Sequence, residues 1–131
     1  MSVNSVSTQA AIRQAVMDYA QGWYEGDAER MRRCLHPELG KRAILHDPAT
    51  GEQRFHHLTK AQMVEKTRQG GGSTDVPAEK RYYDVSILDV YGGIASVRAE
   101  TYEYVDYLHL ALCDGRWLIV NALWTENYTQ R

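Results

Sequence analysis

The chain has 131 residues, 44% hydrophobic and 24% charged, with a net charge of -2, which suits one domain around one core. A near-neutral surface asks for neither nucleic acid nor an anionic membrane as partner. No apolar run approaches a membrane span or a leader, and Cys34 and Cys113 form no CxxC or zinc spacing, so free thiols in the cytoplasm are expected.

Residues 1–7 are polar and expected to fray. Ile12, Ala15, Val16, Tyr19 and Trp23 then recur at helical spacing, which predicts an amphipathic helix from near Thr8 to Glu25, closed by Gly26. Asp27 suits the N-cap of a second helix with Met31, Cys34 and Leu35 inward, ending at His36 before Pro37. Lys41 to His46 reads as a short strand. The turn Asp47-Pro48-Ala49-Thr50-Gly51 returns it as Glu52 to Leu58. Thr59 and Gln62 spell a capping box for a third helix, with Met63, Val64 and Thr67 inward, which Gly70-Gly71-Gly72 stops. Residues 70–80 are expected to be a loop, either lid or connector. Strands follow over Arg81–Tyr91, Ile94–Tyr104, Val105–Cys113 and Arg116–Thr125. Without repeats or a linker, this is one α+β domain over residues 1–131.

The two hairpins turn at Gly92-Gly93 and Asp114-Gly115, so their register can be read. Opposed residues share a face. Across Asp114-Gly115, Leu112 opposes Trp117, Leu110 opposes Ile119, Leu108 opposes Asn121 and Asp106 opposes Leu123. This face is apolar except for Asp106 and Asn121, which points to a lined cavity. The opposite face, with Tyr107, His109, Ala111, Leu118, Val120, Ala122 and Trp124, is also largely apolar and is expected to meet a second copy of the chain. Across Gly92-Gly93, Val90 opposes Ala95, Leu88 opposes Val97 and Ser86 opposes Ala99. The small-residue stripe Ala95, Val97, Ala99, Thr101 leaves room for a closely packed helix or for a cavity.

The ending of the first helix, Tyr19-Ala-Gln-Gly-Trp-Tyr-Glu-Gly-Asp27, leads into Ala28-Glu-Arg-Met-Arg-Arg-Cys-Leu-His36-Pro37. With Val105-Asp106-Tyr107-Leu108 and Asp114-Gly-Arg-Trp117-Leu-Ile119-Val-Asn121, it resembles the nuclear transport factor 2-like superfamily. Within that superfamily it is most similar to the Putative lumazine-binding and polyketide-cyclase-like (SnoaL-like) branch. The resemblance spans residues 9–126. It implies a cone-shaped, strongly curved mixed sheet wrapped around three N-terminal helices, with a pocket at the wide end and dimers through the convex face. It implies no single function, because the same cone hosts isomerases, cyclases, dehydratases, hydrolases and non-catalytic modules.

Asp106 is the first candidate for chemistry, since a carboxylate on an apolar wall has its pKa raised and can act as acid or base. Its other reading is a buried tie between strand and helix, through Tyr19 or a backbone amide. Tyr19 stands where the ketosteroid-isomerase branch carries a tyrosine oxyanion donor. His46 stands near that branch's general base, with histidine in place of its carboxylate. Trp23, Met63, Leu108, Trp117 and Asn121 are expected to line the pocket. Tyr107, His109, Leu118, Val120 and Trp124 are expected on the dimer face. Adjacent His56 and His57 point to opposite faces of a strand, so no metal site is expected. No GxSxG, P-loop or dinucleotide fingerprint occurs, and no cofactor is expected. The function classes left are a binding protein for a small apolar or aromatic molecule and a cofactor-independent isomerase, cyclase or dehydratase using Asp106. A pure assembly module remains if Trp23 and Trp117 plug the cone.

Overall fold

Ser5 caps the first helix, its hydroxyl accepting the Thr8 amide at 3.1 Å, a cap contributing about 1 kcal/mol. Ile12, Ala15, Val16 and Tyr19 bury one face of the helix that follows. In the computed structural model, which describes residues 5–130, this helix, α1, runs Val6–Glu25. Fraying was expected over residues 1–7, yet Val6 and Ser7 are helical, and residues 1–4 lie outside the described residues. Gly26 closes α1 in the left-handed region at φ 68°, and Asp27 caps α2, Ala28–Cys34.

The second helix stops at Cys34 and not at His36. Leu35 is already extended and pairs with Ile119, so strand pairing takes over before Pro37 is reached. The first strand, β1, is therefore Leu35–His46, twice the expected length, with β2, Gln53–Leu58, folded back on it. Helix α3, Lys60–Arg68, carries the Thr59–Gln62 capping box. The expected loop over 70–80 instead holds a short helix, α4, Gly71–Asp75, and a 3-10 turn at Ala78–Lys80. A Cβ on Gly71 or Gly72 would lie 2.5 Å from atoms of Trp23. The glycines are there so that α4 can lie directly on that indole.

Strands β3, Tyr83–Tyr91, β4, Ile94–Thr101, β5, Tyr104–Cys113, and β6, Arg116–Glu126, complete a curved mixed sheet ordered β2-β1-β6-β5-β4-β3. Among the described residues, only β1 and β6 run parallel. Helices cover one face, and Met31, Leu35, Val97, Leu108, Leu110 and Ile119 form the centre of the core. Each fully buried side chain of this kind contributes about 1.5–3 kcal/mol.

The turns and the first pairs of both hairpins are as read from the sequence, but each hairpin then slips by one residue. In the first, Val90 faces Ala95, Leu88 is left over, and Ile87 faces Val97. In the second, Leu112 faces Trp117 and Leu110 faces Ile119. Val120 is then left over, so Leu108 faces Ala122 and Asp106 faces Trp124. A one-residue slip moves every later side chain to the other face. It reverses the expected faces beyond the second bulge: Ala122 is buried in the core and Leu123 is exposed outside. Asn121 is exposed on the outer face, where it contacts His109 at 3.4 Å, and does not line the inside. Trp124 turns inward beside Asp106 and is not on the outer face, and Val120 sits in the bulge itself. Tyr107 and His109 are exposed on that outer face and Leu118 is half-buried.

Candidate functional site

Past the second bulge the sheet's inner face carries Asp106 and Trp124 from β5 and β6. The β1 pairings place Lys41 opposite both Ala122 and Leu58, which turns it inward as well. Tyr19 descends from α1 onto the same spot. These groups form the floor of a cavity of about 450 Å³. Its walls are Trp23 and Ala20 of α1, His56 and Leu58 of β2, Met63 and Lys66 of α3, and Tyr104 and Thr101 of the sheet. Gly70, Gly71, Thr74 and Asp75 form the remaining side.

The floor is a closed polar cluster. The Tyr19 hydroxyl donates to Asp106 Oδ1 at 3.3 Å and accepts from Lys41 Nζ. Lys41 Nζ lies 3.5 Å from the same carboxylate oxygen. Lys41 also sits 4.9 Å from the centre of the Tyr19 ring and 5.5 Å from that of Trp124, within cation–π range. Trp124 packs edge-on against Tyr104, with ring centres 5.0 Å apart, and against His56 at 6.1 Å. The indole N–H groups of Trp23 and Trp124 are buried and make no hydrogen bond among the described residues.

Burial sets the protonation of this cluster. It pushes the Asp106 carboxyl up, against the opposing pull of Lys41 and the Tyr19 hydrogen bond. It pushes the Lys41 ammonium down, with Asp106 holding it up in part. Burial first, then the charge of Asp106, lifts the Tyr19 phenol well above its usual range. His56 is lowered by burial and then by Arg54, Lys66 and Lys41. Tyr104 is pushed up to about 12, mainly by burial. Burial thus opposes the charge on both Asp106 and Lys41 while each favours the charge on the other, and the Tyr19 hydroxyl lies between them.

Of the sequence candidates, Asp106, Tyr19, Trp23 and Met63 meet at this cavity. The Asp106–Tyr19 bond is also the tie that the other reading of Asp106 anticipated. His46 does not join them. It is exposed at the turn end of the β1–β2 hairpin, within 3.3 Å of Gln53, because β1 carries it past the cavity. Leu108 is fully buried in the core below, and Trp117 packs on that core. Neither lines the cavity, so the cone is not plugged by Trp117, and Trp23 forms a wall. Sequence reasoning missed Lys41, His56, Tyr104 and the inward turn of Trp124. The signal for Lys41 was strand alternation, since it shares a face with Ala43, buried two residues on. No group of three His, Cys, Asp or Glu side chains able to hold a metal occurs among the described residues.

The family model described as Putative lumazine-binding matches residues 7–125. No curated protein matches the chain. Among solved structures, the chain is similar to an NTF-2-like protein of unknown function from Silicibacter pomeroyi DSS-3. The TM-score is 0.75 at 18% identity, covering 97% of this chain and 100% of that one. A similar NTF2-like protein of unknown function from Shewanella baltica OS155 gives a TM-score of 0.73 at 16% identity, covering 96% and 98%. A ketosteroid isomerase-like protein from Erwinia carotovora atroseptica SCRI1043 gives 0.65 at 13% identity, covering 93% and 98%. At these identities the likeness concerns the fold alone.

Proposed function

The chain belongs to the family described as Putative lumazine-binding, within the nuclear transport factor 2-like superfamily, and we propose from that premise that it binds a small, planar, mostly apolar molecule in its cavity. One observation carries the reading: an aromatic-walled cavity of about 450 Å³ ends on the buried Tyr19–Lys41–Asp106 cluster. Concave, mostly apolar sites with a few convergent polar groups are where small molecules bind. The rings of Trp124 and Tyr104 supply stacking area, and Lys41 and Tyr19 can meet an oxygen of the ligand.

The test is calorimetric titration with lumazine, 2-naphthol and a 3-ketosteroid. At least one is expected to bind one per chain, and Trp124→Ala is expected to weaken it at least about tenfold, or 1.4 kcal/mol. No binding of any of the three at millimolar concentration would count against the reading.

A second reading, proton-transfer catalysis without a cofactor, is favoured by one specific observation. Asp106 is a buried carboxyl pushed upward at the cavity floor, as an acid or base for isomerisation, cyclisation or dehydration requires. Binding is preferred because Asp106 already has its ion-pair and hydrogen-bond partners. Loss of turnover in Asp106→Asn with the fold intact would reverse that preference.

The outer sheet face exposes Tyr107, Leu123, Phe55 and Ile44, and pairing of two copies across it belongs to the same proposal. No helix among the described residues is long and apolar enough to cross a membrane, and with Cys34 and Cys113 both free the proposed setting is the cytoplasm.

A further inference from the structure

The chain has four lysines, at positions 41, 60, 66 and 80. Lys60 is half-buried and Lys66 and Lys80 are exposed, whereas Lys41 is 6% exposed. Lysine is an adaptable ion and among the last groups to be buried without a reason. Its Nζ lies on the cavity floor beside a carboxyl and a hydroxyl, under two aromatic rings.

We propose that Lys41 is a carbonyl-reactive amine, which forms a reversible Schiff base with a small aromatic aldehyde or ketone taken into the cavity, while Asp106 and Tyr19 handle the protons. The inference rests on the binding reading and goes beyond it.

The geometry supplies each part of the step. Lys41 passes its proton to Asp106, which leaves a neutral amine in a desolvated site. Burial already drives both groups that way. The Nζ lone pair attacks the carbonyl carbon. A C–N bond forms, and the π pair of the C=O bond moves onto oxygen, where the Tyr19 hydroxyl can meet it. Asp106 returns its proton to that oxygen and then takes one from nitrogen, giving the carbinolamine. Asp106 next protonates the carbinolamine hydroxyl, which leaves as water while the nitrogen lone pair closes the C=N bond. Carbonyl plus ammonium become iminium plus water. No electrons leave or enter, and the iminium keeps its positive charge beside the Asp106 carboxylate. His56, Lys66 and Asp75 also face the cavity, but none is hydrogen-bonded or ion-paired to Lys41 as Asp106 and Tyr19 are. The aromatic preference follows from Trp124 and Tyr104.

The test treats the wild-type protein with 2-naphthaldehyde and sodium cyanoborohydride and maps the reduced adduct by peptide mass spectrometry. Quenching of tryptophan fluorescence by the aldehyde is followed in parallel. Saturable quenching is expected, with Lys41 labelled at least about tenfold faster than Lys60, Lys66 or Lys80, because a bound aldehyde is held beside its nucleophile. Asp106→Asn is expected to slow labelling of Lys41 about a hundredfold, the usual scale of a lost proton-transfer group. The wild-type map decides the matter even if that variant fails to fold. Saturable quenching with the lysines labelled in order of their exposure overturns the Schiff base and leaves the binding reading standing. No quenching and no adduct on Lys41 overturns both.

Discussion

Removing either end of the Lys41–Asp106 pair strands the other charge in a dry site, and the two variants should respond to pH in opposite senses. Both side chains are nearly buried, at 8% and 5% exposure, and breaking such a pair at one end costs about 3–5 kcal/mol near neutrality. For 131 residues the unfolding entropy is about 0.28 kcal/mol/K, so Tm should drop by roughly 11–18 °C. In Lys41→Met the cation that opposed burial is gone, and the folded Asp106 carboxyl rises further above its unfolded value of about 3.9. The folded state then binds more protons than the unfolded one, so stability is full in acid and is lost as pH rises through the folded value. In Asp106→Asn the folded Lys41 ammonium falls further below its unfolded value of about 10.4. Now the unfolded state binds more protons, so stability is lowest in acid and recovers as pH climbs. Urea denaturation of both variants against wild type, from about pH 5 to 9, should therefore give differences of opposite slope. The double variant Lys41→Met with Asp106→Leu should regain most of the loss, because an apolar replacement of a buried pair is often near neutral. Parallel slopes, or single variants within about 1 kcal/mol of wild type, would refute a buried, mutually dependent pair.

Gly72→Ala places a Cβ 2.5 Å from the Trp23 carbonyl oxygen and ring, and should cost about 1–3 kcal/mol by urea midpoint; an unchanged midpoint would mean α4 does not rest on that indole. Leu123→Glu should give monomers by light scattering while leaving the urea midpoint within about 0.5 kcal/mol. Trp124→Glu, which lies inside, should instead impair ligand binding, and a dimer that survives Leu123→Glu and Tyr107→Glu would sink the outer-face pairing. His46→Ala should leave the affinity for the ligand found by titration within about twofold, and His56→Ala, on the cavity wall, should weaken it by roughly 1 kcal/mol. The reverse order would place the binding site at the hairpin end of β1.

The first three helices were legible because their signals are local, whereas the end of α2 at Cys34 and the short α4 were not. Gly26, Asp27 and the Thr59–Gln62 box each act within one turn of chain. The hairpin turns were legible for the same reason. The bulge of the second hairpin was not, because Leu118-Ile119-Val120 is apolar at every position and offers no alternation that could betray an extra residue. That single unseen residue exchanged Asn121 for Trp124 inside the cavity. Asp106 lies before the slip in chain order and on the partner strand, so its inward position survived. Lys41 was hidden for a different reason. Alternation puts it on one face with Ala43, but that this face is the buried one depends on β6 and β2 flanking β1, a pairing between distant segments.

The most direct test of a ligand-binding cavity is a crystal structure of the wild-type protein soaked with 2-naphthol. The expected result is the naphthol ring packed against Trp124 and Tyr104, with its oxygen within hydrogen-bond reach of Lys41 or Tyr19. Naphthol found only on the outer sheet face, with Trp23 swung in to fill the space above Lys41, would contradict the binding reading.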